Sequence, residues 1–169
     1  IIPYHYDVYA ECKERFEMVT TSCLTGRACY YEEKHDPKRI IDIVKASSSL
    51  PYVSRIAYVD GEPMLDGGIG DSIPLERART LGYDNNVVVL TRNKGYRKPD
   101  KPSFVPPFAY GKYPAMREAI RQRNALYNEQ VDMLRDDMDG GTSYLAEIEA
   151  RERETTGIKN LRVRYNKVF

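Results

Sequence analysis

Short β-type runs, helical-period runs and Gly/Pro turn pairs succeed one another along the chain. Residues 1–15, rich in tyrosine and charge, read as a loop leading into a short helix, with Tyr4, Tyr6 and Tyr9 as packing residues. Phe16–Thr21 and Ala28–Glu32 read as two strands joined by Leu24-Thr25-Gly26-Arg27, where Thr25-Gly26 supplies the turn. Asp36-Pro37 opens a helix, Asp36 as N-cap and Pro37 in the first turn. Its apolar face is Ile40, Ile41, Ile43 and Val44, and it ends at Ser47-Ser48-Ser49. The serine hydroxyls are expected to bond the last helical carbonyls rather than to act as nucleophiles.

Two further runs, Ile56–Val59 and Pro63–Leu65, flank Asp60-Gly61, the strongest short hairpin signal a sequence offers. Pro74 with Glu76 and Arg77 starts a helix that runs to about Leu81 and stops at Gly82. Val87–Leu90 is a continuous apolar run, as expected of a strand buried on both faces of a parallel sheet. From Tyr113 a long helical pattern follows. Met116, Ile120, Leu126 or Tyr127, Val131 and Leu134 form its apolar stripe, and Gly140-Gly141 are expected to end it. Ser143–Thr155 is a second, charged helix with Tyr144, Leu145 and Ile148 inward, stopped by Gly157. Leu161, Val163 and Tyr165 then alternate with Arg162, Arg164 and Asn166 as a two-faced strand.

The chemistry concentrates at Asp66-Gly67-Gly68, where a strand run ends and two glycines follow at once. Glycine permits positive φ and close backbone approach, so the carboxylate of Asp66 can sit on a tight turn with open space beside it. On residue pattern alone, Asp66 reads as a turn-capping aspartate. The surrounding motifs change that reading. ASSSLP at Ala46–Pro51, LDGG at Leu65–Gly68, SIP at Ser72–Pro74 and LTRNKGYRK at Leu90–Lys98 occur in an order that resembles the patatin-like phospholipase family. The resemblance is carried over residues 1–130. It implies that Asp66 is the base of a Ser-Asp dyad, with Gly67 and Gly68 as the active-site turn. No Gly-x-Ser-x-Gly elbow and no Gly-rich oxyanion loop occur in the sequence. The chain begins Ile1-Ile2-Pro3, as a fragment would. A base without its nucleophile gives little rate, so the chain by itself is expected to be inactive.

Composition narrows the alternatives. With 26 Lys and Arg against 25 Asp and Glu, there is no global field to recruit nucleic acid or anionic membrane. Cys12, Cys23 and Cys29 form no C-x-x-C, and read as reduced and cytosolic. His5 and His35 belong to no ligand-spaced cluster, so neither metal nor cofactor is expected. No apolar run is long enough to span a bilayer. The basic run Arg92, Lys94, Arg97 and Lys98 reads as a solvated loop, with anionic head-group contact as its functional alternative. KPSFVPPFAY is either a flap touching lipid or an irregular cover over the core.

From about Val131 the resemblance changes. Thr156–Leu161 and Tyr165–Phe169, within SYLAEIEARERETTGIKNLRVRYNKVF, resemble the lever–clamp junction of the MutS family of DNA mismatch-repair proteins. The join is expected within Tyr127–Gly141. Together these readings give an α/β fold: part of a three-layer α/β/α patatin-like sandwich lacking its N-terminal strands and elbow, then a long helix and a helix–strand tail. Residues 1–130 are the acyl hydrolase part and residues 131–169 the tail. The implied partner of the complete protein is a lipid ester or phospholipid; Arg162, Arg164 and Lys167 of the tail read as a solvated strand face, with weak DNA phosphate contact as the functional alternative. The expected location is cytoplasmic, with peripheral membrane attachment open. A DNA-binding module and a non-catalytic interaction remnant stand as the alternatives.

Overall fold

A computed structural model describes residues 5–93 and 95–158, with side chains described outside 138–148. Two compact units divide the chain, Ile1–Gln130 and Val131–Phe169. In the first, α1 (Tyr6–Glu11) precedes a hairpin of β1 (Met18–Ser22) and β2 (Ala28–Tyr31). Helix α2 (Pro37–Ser47) leads to a second hairpin, β3 (Ala57–Val59) and β4 (Glu62–Asp66). A 3-10 turn (Gly67–Ile69) and α3 (Leu75–Thr80) follow, and α4 runs from Pro114 to Thr156 across the boundary of the two units.

The fold is α/β. Its sheet is four-stranded and antiparallel, in the order β2-β1-β4-β3. Both hairpins follow from their turns. Asp60 (φ 53°) and Gly61 (φ 82°) both take left-handed backbone, the two-residue turn whose twist matches the flanking strands, and Val59 pairs with Glu62 across it. Adjacent residues of β4 point to opposite faces. Met64 packs with Met18, Val59, Ile43 and Ala46 on the α2 side. Leu65 packs with Cys23, Ile69, Met116 and Ile120 on the α4 side. The sheet is thus sandwiched between α2 and the first turns of α4.

Helix α2 starts as its sequence dictates: Asp36 accepts from the N–H groups of Lys38 and Arg39, at 2.9 and 3.2 Å, with Pro37 at the first helical position. Its buried face is narrower than expected. Ile40, Ile43 and Ala46 are buried, while Ile41 and Val44 are 41% and 47% exposed. A single sheet face covers about one stripe of a short helix, and 40, 43 and 46 lie along that stripe. At the other end, Ser48 and Ser49 hydroxyls donate to the Val44 and Lys45 carbonyls at 2.6 Å each, as expected.

Three expectations fail. Val87–Leu90 is not a strand: the segment carries no regular structure, with Val87 95% and Val89 87% exposed, and the sheet is not parallel. A β-prone run becomes a strand only where an edge offers hydrogen bonds and a face offers cover, and neither meets it here. Gly140-Gly141 do not end the helix, so Ser143–Thr155 continues α4 rather than forming a second helix. Glycine costs about 1 kcal/mol in a helix interior, and the good helix formers on either side outweigh it. In α4 the apolar stripe is interrupted: Met116, Ile120, Val131 and Leu134 are buried, but between them the buried residue is Asn128. The end after Thr156 is as expected, with Gly157 at φ 69° and its N–H on the Arg153 carbonyl. Tyr4, Lys94, the strand over 161–165 with Arg162, Arg164 and Lys167, and the side chains of Tyr144, Leu145 and Ile148 lie outside the described residues.

Candidate active site

Asp66 closes β4 and caps the 3-10 turn that follows. Its peptide is gripped on both sides. The Asp66 N–H donates to the Ser49 carbonyl at 3.0 Å, and the Thr21 hydroxyl donates to the Asp66 carbonyl at 2.8 Å. Thr21 is fully buried, and its oxygen also accepts the Gly70 N–H at 3.0 Å. Three elements, β1, the end of α2 and the turn itself, therefore fix one backbone position.

The Asp66 side chain is half-buried, and its Oδ1 accepts the Gly68 N–H at 2.8 Å. Its Oδ2 takes no hydrogen bond among the described residues. Turn capping and an available second oxygen coexist. The two glycines are required for space and not for left-handed backbone, since neither has a positive φ. A Cβ on Gly67 would stand 2.3 Å from the Val19 carbonyl oxygen, so the turn can approach β1 only without a side chain. A Cβ on Gly68 would stand 3.0 Å from Asp66 Oδ1, so glycine there leaves the carboxylate its room.

A shallow pocket of ≈ 270 Å³ opens over the Gly67–Gly68 backbone, walled by Phe16, Met18, Ser47, Asp71 and Ser72 among others. Asp66 stands at its margin and not in its lining. Behind its Asp71 wall stands a polar network. Asp71, 9% exposed, accepts from the Tyr30 hydroxyl and from Gln130 Nε2, each at 2.5 Å. Gln130 Oε1 in turn accepts the N–H groups of Ser72 and Ile73 at 3.1 and 3.0 Å. Burial, then the Asp71 hydrogen bond, pushes the Tyr30 phenol well above the ordinary tyrosine value, so Tyr30 donates throughout the physiological range. The Ser72 hydroxyl donates to the Gly68 carbonyl at 2.7 Å and so braces the turn.

The basic run after position 90 is only partly a solvated loop. The Asn128 amide accepts the Lys98 N–H at 2.9 Å and donates to the Lys98 carbonyl at 3.0 Å, pinning that residue to α4. The Lys98 ammonium lies over the Tyr127 ring at 4.4 Å. Burial holds it below the ordinary lysine range; Arg123 and Arg92 add to the depression and Asp66 opposes it. Lys98 thus shares the field of Asp66. The roles of Ser49, Asp71, Gln130 and Asn128 leave no mark in residue spacing: each acts through a partner distant in sequence. Among the described residues, no group of His, Cys, Asp and Glu is placed to hold a metal ion, and no helix is long and apolar enough to cross a membrane.

Fold and site define an α/β protein that holds one strand-end aspartate on a Gly-Gly turn beside a pocket. Residues 15–79, which include Asp66, Gly67 and Gly68, match the family model of patatin-like phospholipase, and residues 126–169 match that of MutS family domain IV. A DNA mismatch repair protein MutS of Caldanaerobacter subterraneus is 60% identical over 43 residues, 25% of this chain and 5% of that protein. That of Geobacillus thermodenitrificans is 54% identical over 54 residues, 30% of this chain and 6% of that protein. The chain therefore spans about a twentieth of the length of these relatives. No solved structure matches. One polypeptide thus carries a segment similar to patatin-like phospholipase and a segment similar to MutS family domain IV.

Proposed function

We propose that residues 1–130 serve as the aspartate-bearing part of a patatin-like lipid acyl hydrolase, and that Asp66 is its general base. The sequence has no Gly-x-Ser-x-Gly, so the nucleophile belongs to polypeptide outside it. In the complete site that serine attacks the ester carbonyl of a lipid or phospholipid while Asp66 Oδ2 takes its proton. The same proton then passes to the departing alcohol, and a water attacks the acyl-enzyme with Asp66 again as base. The observation that carries this reading is the division of labour at Asp66: a backbone held by Ser49 and Thr21, one oxygen committed to Gly68 and the other unbonded among the described residues. A turn cap alone explains the first oxygen but gives no use to the second.

The chain by itself is then without esterase activity, because base and nucleophile act as a unit. Joining an elbow-bearing patatin-like segment ahead of Ile1 tests this with a p-nitrophenyl ester. Hydrolysis appearing only in the joined protein supports the reading; equal rates with and without the added segment contradict it.

A second reading concerns the tail, favoured by the 54–60% identity to MutS proteins. Arg162, Arg164 and Lys167 contact DNA phosphate there, weakly, because a partial clamp offers few contacts. DNA retention that weakens with salt and vanishes on deleting residues 142–169 supports it. Absence of retention at low salt removes it.

A further inference from the structure

Apart from Asp60, the non-glycine residues with positive φ among the described residues are Tyr52 (φ 67°) and Tyr110 (φ 55°), and they touch each other. Their rings stand 5.7 Å apart at 45°. The Tyr110 hydroxyl accepts the Tyr52 N–H at 3.0 Å, and the Tyr52 hydroxyl donates to the Phe104 carbonyl at 3.1 Å. Bulky side chains adopt left-handed backbone only where their surroundings hold them in it, and such residues gather at functional sites. Here they lock the segment after α2 to the segment before α4.

What the lock holds up is apolar. Val53 is 82% exposed, Phe104 78% and Phe108 89%, with Leu50 beside them at 52%. Leu50 and Val53 flank Tyr52, Phe108 stands two residues before Tyr110, and the Phe104 carbonyl takes the Tyr52 hydroxyl, so these exposed side chains belong to the two locked segments. Exposed apolar groups brought together in this way mark an interaction site. The base of the platform is cationic. Arg117 Nη1 donates to the carbonyls of Pro106 and Pro107 at 2.9 and 3.3 Å, and also to that of Ala109. Arg123 Nε donates to the Ser103 hydroxyl at 3.1 Å, and the Arg121 carbonyl accepts the Ser103 N–H at 3.0 Å. Glu118 answers Arg121 at 3.4 Å, while Arg117 and Arg123 form no ion pair among the described residues. Residues 50–55 and 100–123 hold six Lys or Arg against two Asp or Glu, an excess that the nearly neutral chain as a whole lacks.

We propose that this face docks on an anionic lipid bilayer, with Val53, Phe104 and Phe108 entering the acyl boundary and the arginines at the level of the head-group phosphates. Exposed large apolar groups above a cationic base match the layering of such a surface, and Tyr52 and Tyr110, apolar rings with polar tips, suit its interface. Water gives the exposed phenylalanines no stabilisation, whereas an acyl boundary does. The face also lies beside the base: Leu50 follows Ser49, whose carbonyl holds Asp66. The inference extends the acyl hydrolase reading, since a lipid ester would be drawn from this surface, yet the adsorption itself requires no chemistry.

Co-sedimentation of the whole chain with phosphatidylcholine vesicles, and with phosphatidylcholine–phosphatidylglycerol vesicles, tests it. Wild type should favour the phosphatidylglycerol vesicles and release them as salt rises. The double variant Phe104→Ser, Phe108→Ser should bind at least about tenfold more weakly and Arg123→Gln several-fold more weakly. The two phenylalanines are exposed, so unchanged circular dichroism and melting should accompany the loss. Asp66→Asn should bind as wild type does, which separates docking from catalysis. Absence of vesicle binding, or equal binding by the double variant, overturns the proposal. So does a dimer in solution that the double variant converts to monomer, for then a second copy covers the face.

Discussion

The Asp66 backbone N–H donates to the Ser49 carbonyl at 3.0 Å, so the end of α2 sets the height of the carboxylate at the end of β4. Ser49 is itself fixed, with its hydroxyl on the Lys45 carbonyl and its N–H on Ala46. The serine run that tempts a nucleophile assignment is instead the anchor of the acid.

The two glycines after Asp66 should respond differently to alanine. Gly67→Ala places a methyl against a backbone oxygen of β1 at 2.3 Å, which neither partner can yield without moving a strand. A loss of about 3 kcal/mol or failure to fold is expected, by urea denaturation. Gly68→Ala meets the end of the Asp66 side chain at 3.0 Å and the Ser72 hydroxyl at an ordinary 3.8 Å, so the cost should stay within about 1 kcal/mol while the carboxylate is displaced.

On α2, Ile43 is fully buried and its neighbour Val44 is 47% exposed. Ile43→Ala should destabilise the chain by about 3 kcal/mol and Val44→Ala by under about 0.5 kcal/mol. Similar losses in the two denaturation curves would mean that the helix face has been placed incorrectly.

Glu33 sets an acid limit. Hydrogen bonds from the His35 N–H, then from the Arg39 guanidinium and the Asp36 N–H, hold its carboxyl at about 2 against an ordinary 4.5. Arg39 also grips Asp60 of the second hairpin through two nitrogens, at 3.0 and 2.8 Å, and the Asp60 carboxyl is lowered as well. The folded chain keeps these carboxylates charged where the unfolded chain would protonate them. Their stabilisation is complete above the unfolded values and is lost as pH falls toward the folded ones. The urea midpoint should therefore drop between about pH 4.5 and 2, and Arg39→Met should flatten that drop. An Arg39→Met profile parallel to wild type would disconnect the limit from this network.

The polar groups around Asp71 should behave as one network. Gln130→Ala leaves the N–H groups of Ser72 and Ile73 and one Asp71 oxygen without their partner, and Asp71→Asn disturbs the Tyr30 and Gln130 bonds. Each single change should cost about 2 kcal/mol, and the double variant should cost less than the sum by about 1 kcal/mol or more. Strict additivity would mean that the three side chains do not act together.

Much of this frame is legible in local chemistry. The Asp36-Pro37 start, the Asp60-Gly61 turn and the stop at Gly157 announce themselves because each is decided within four or five residues. The order of LDGG, SIP and LTRNKGYRK points to Asp66 before any geometry does. What escapes is decided at a distance. Val87–Leu90 has strand composition but no edge to join. Gly140-Gly141 have the composition of a helix stop, yet α4 continues through them. Asn128 occupies a buried position of the α4 stripe because it carries both hydrogen bonds of Lys98, a partner thirty positions away. The polar wall of Tyr30, Asp71 and Gln130 joins three elements that no spacing rule connects.

The most direct measurement of the central claim is the hydrolysis rate of Asp66→Asn in a protein completed with its serine-bearing segment. Asparagine preserves the shape and can still accept the Gly68 N–H, but it cannot take a proton. If Asp66 is the base, kcat for a p-nitrophenyl ester should fall by about a thousandfold or more with KM little changed and folding intact. Equal rates for the completed wild type and its Asp66→Asn variant would leave Asp66 as a turn cap and nothing more.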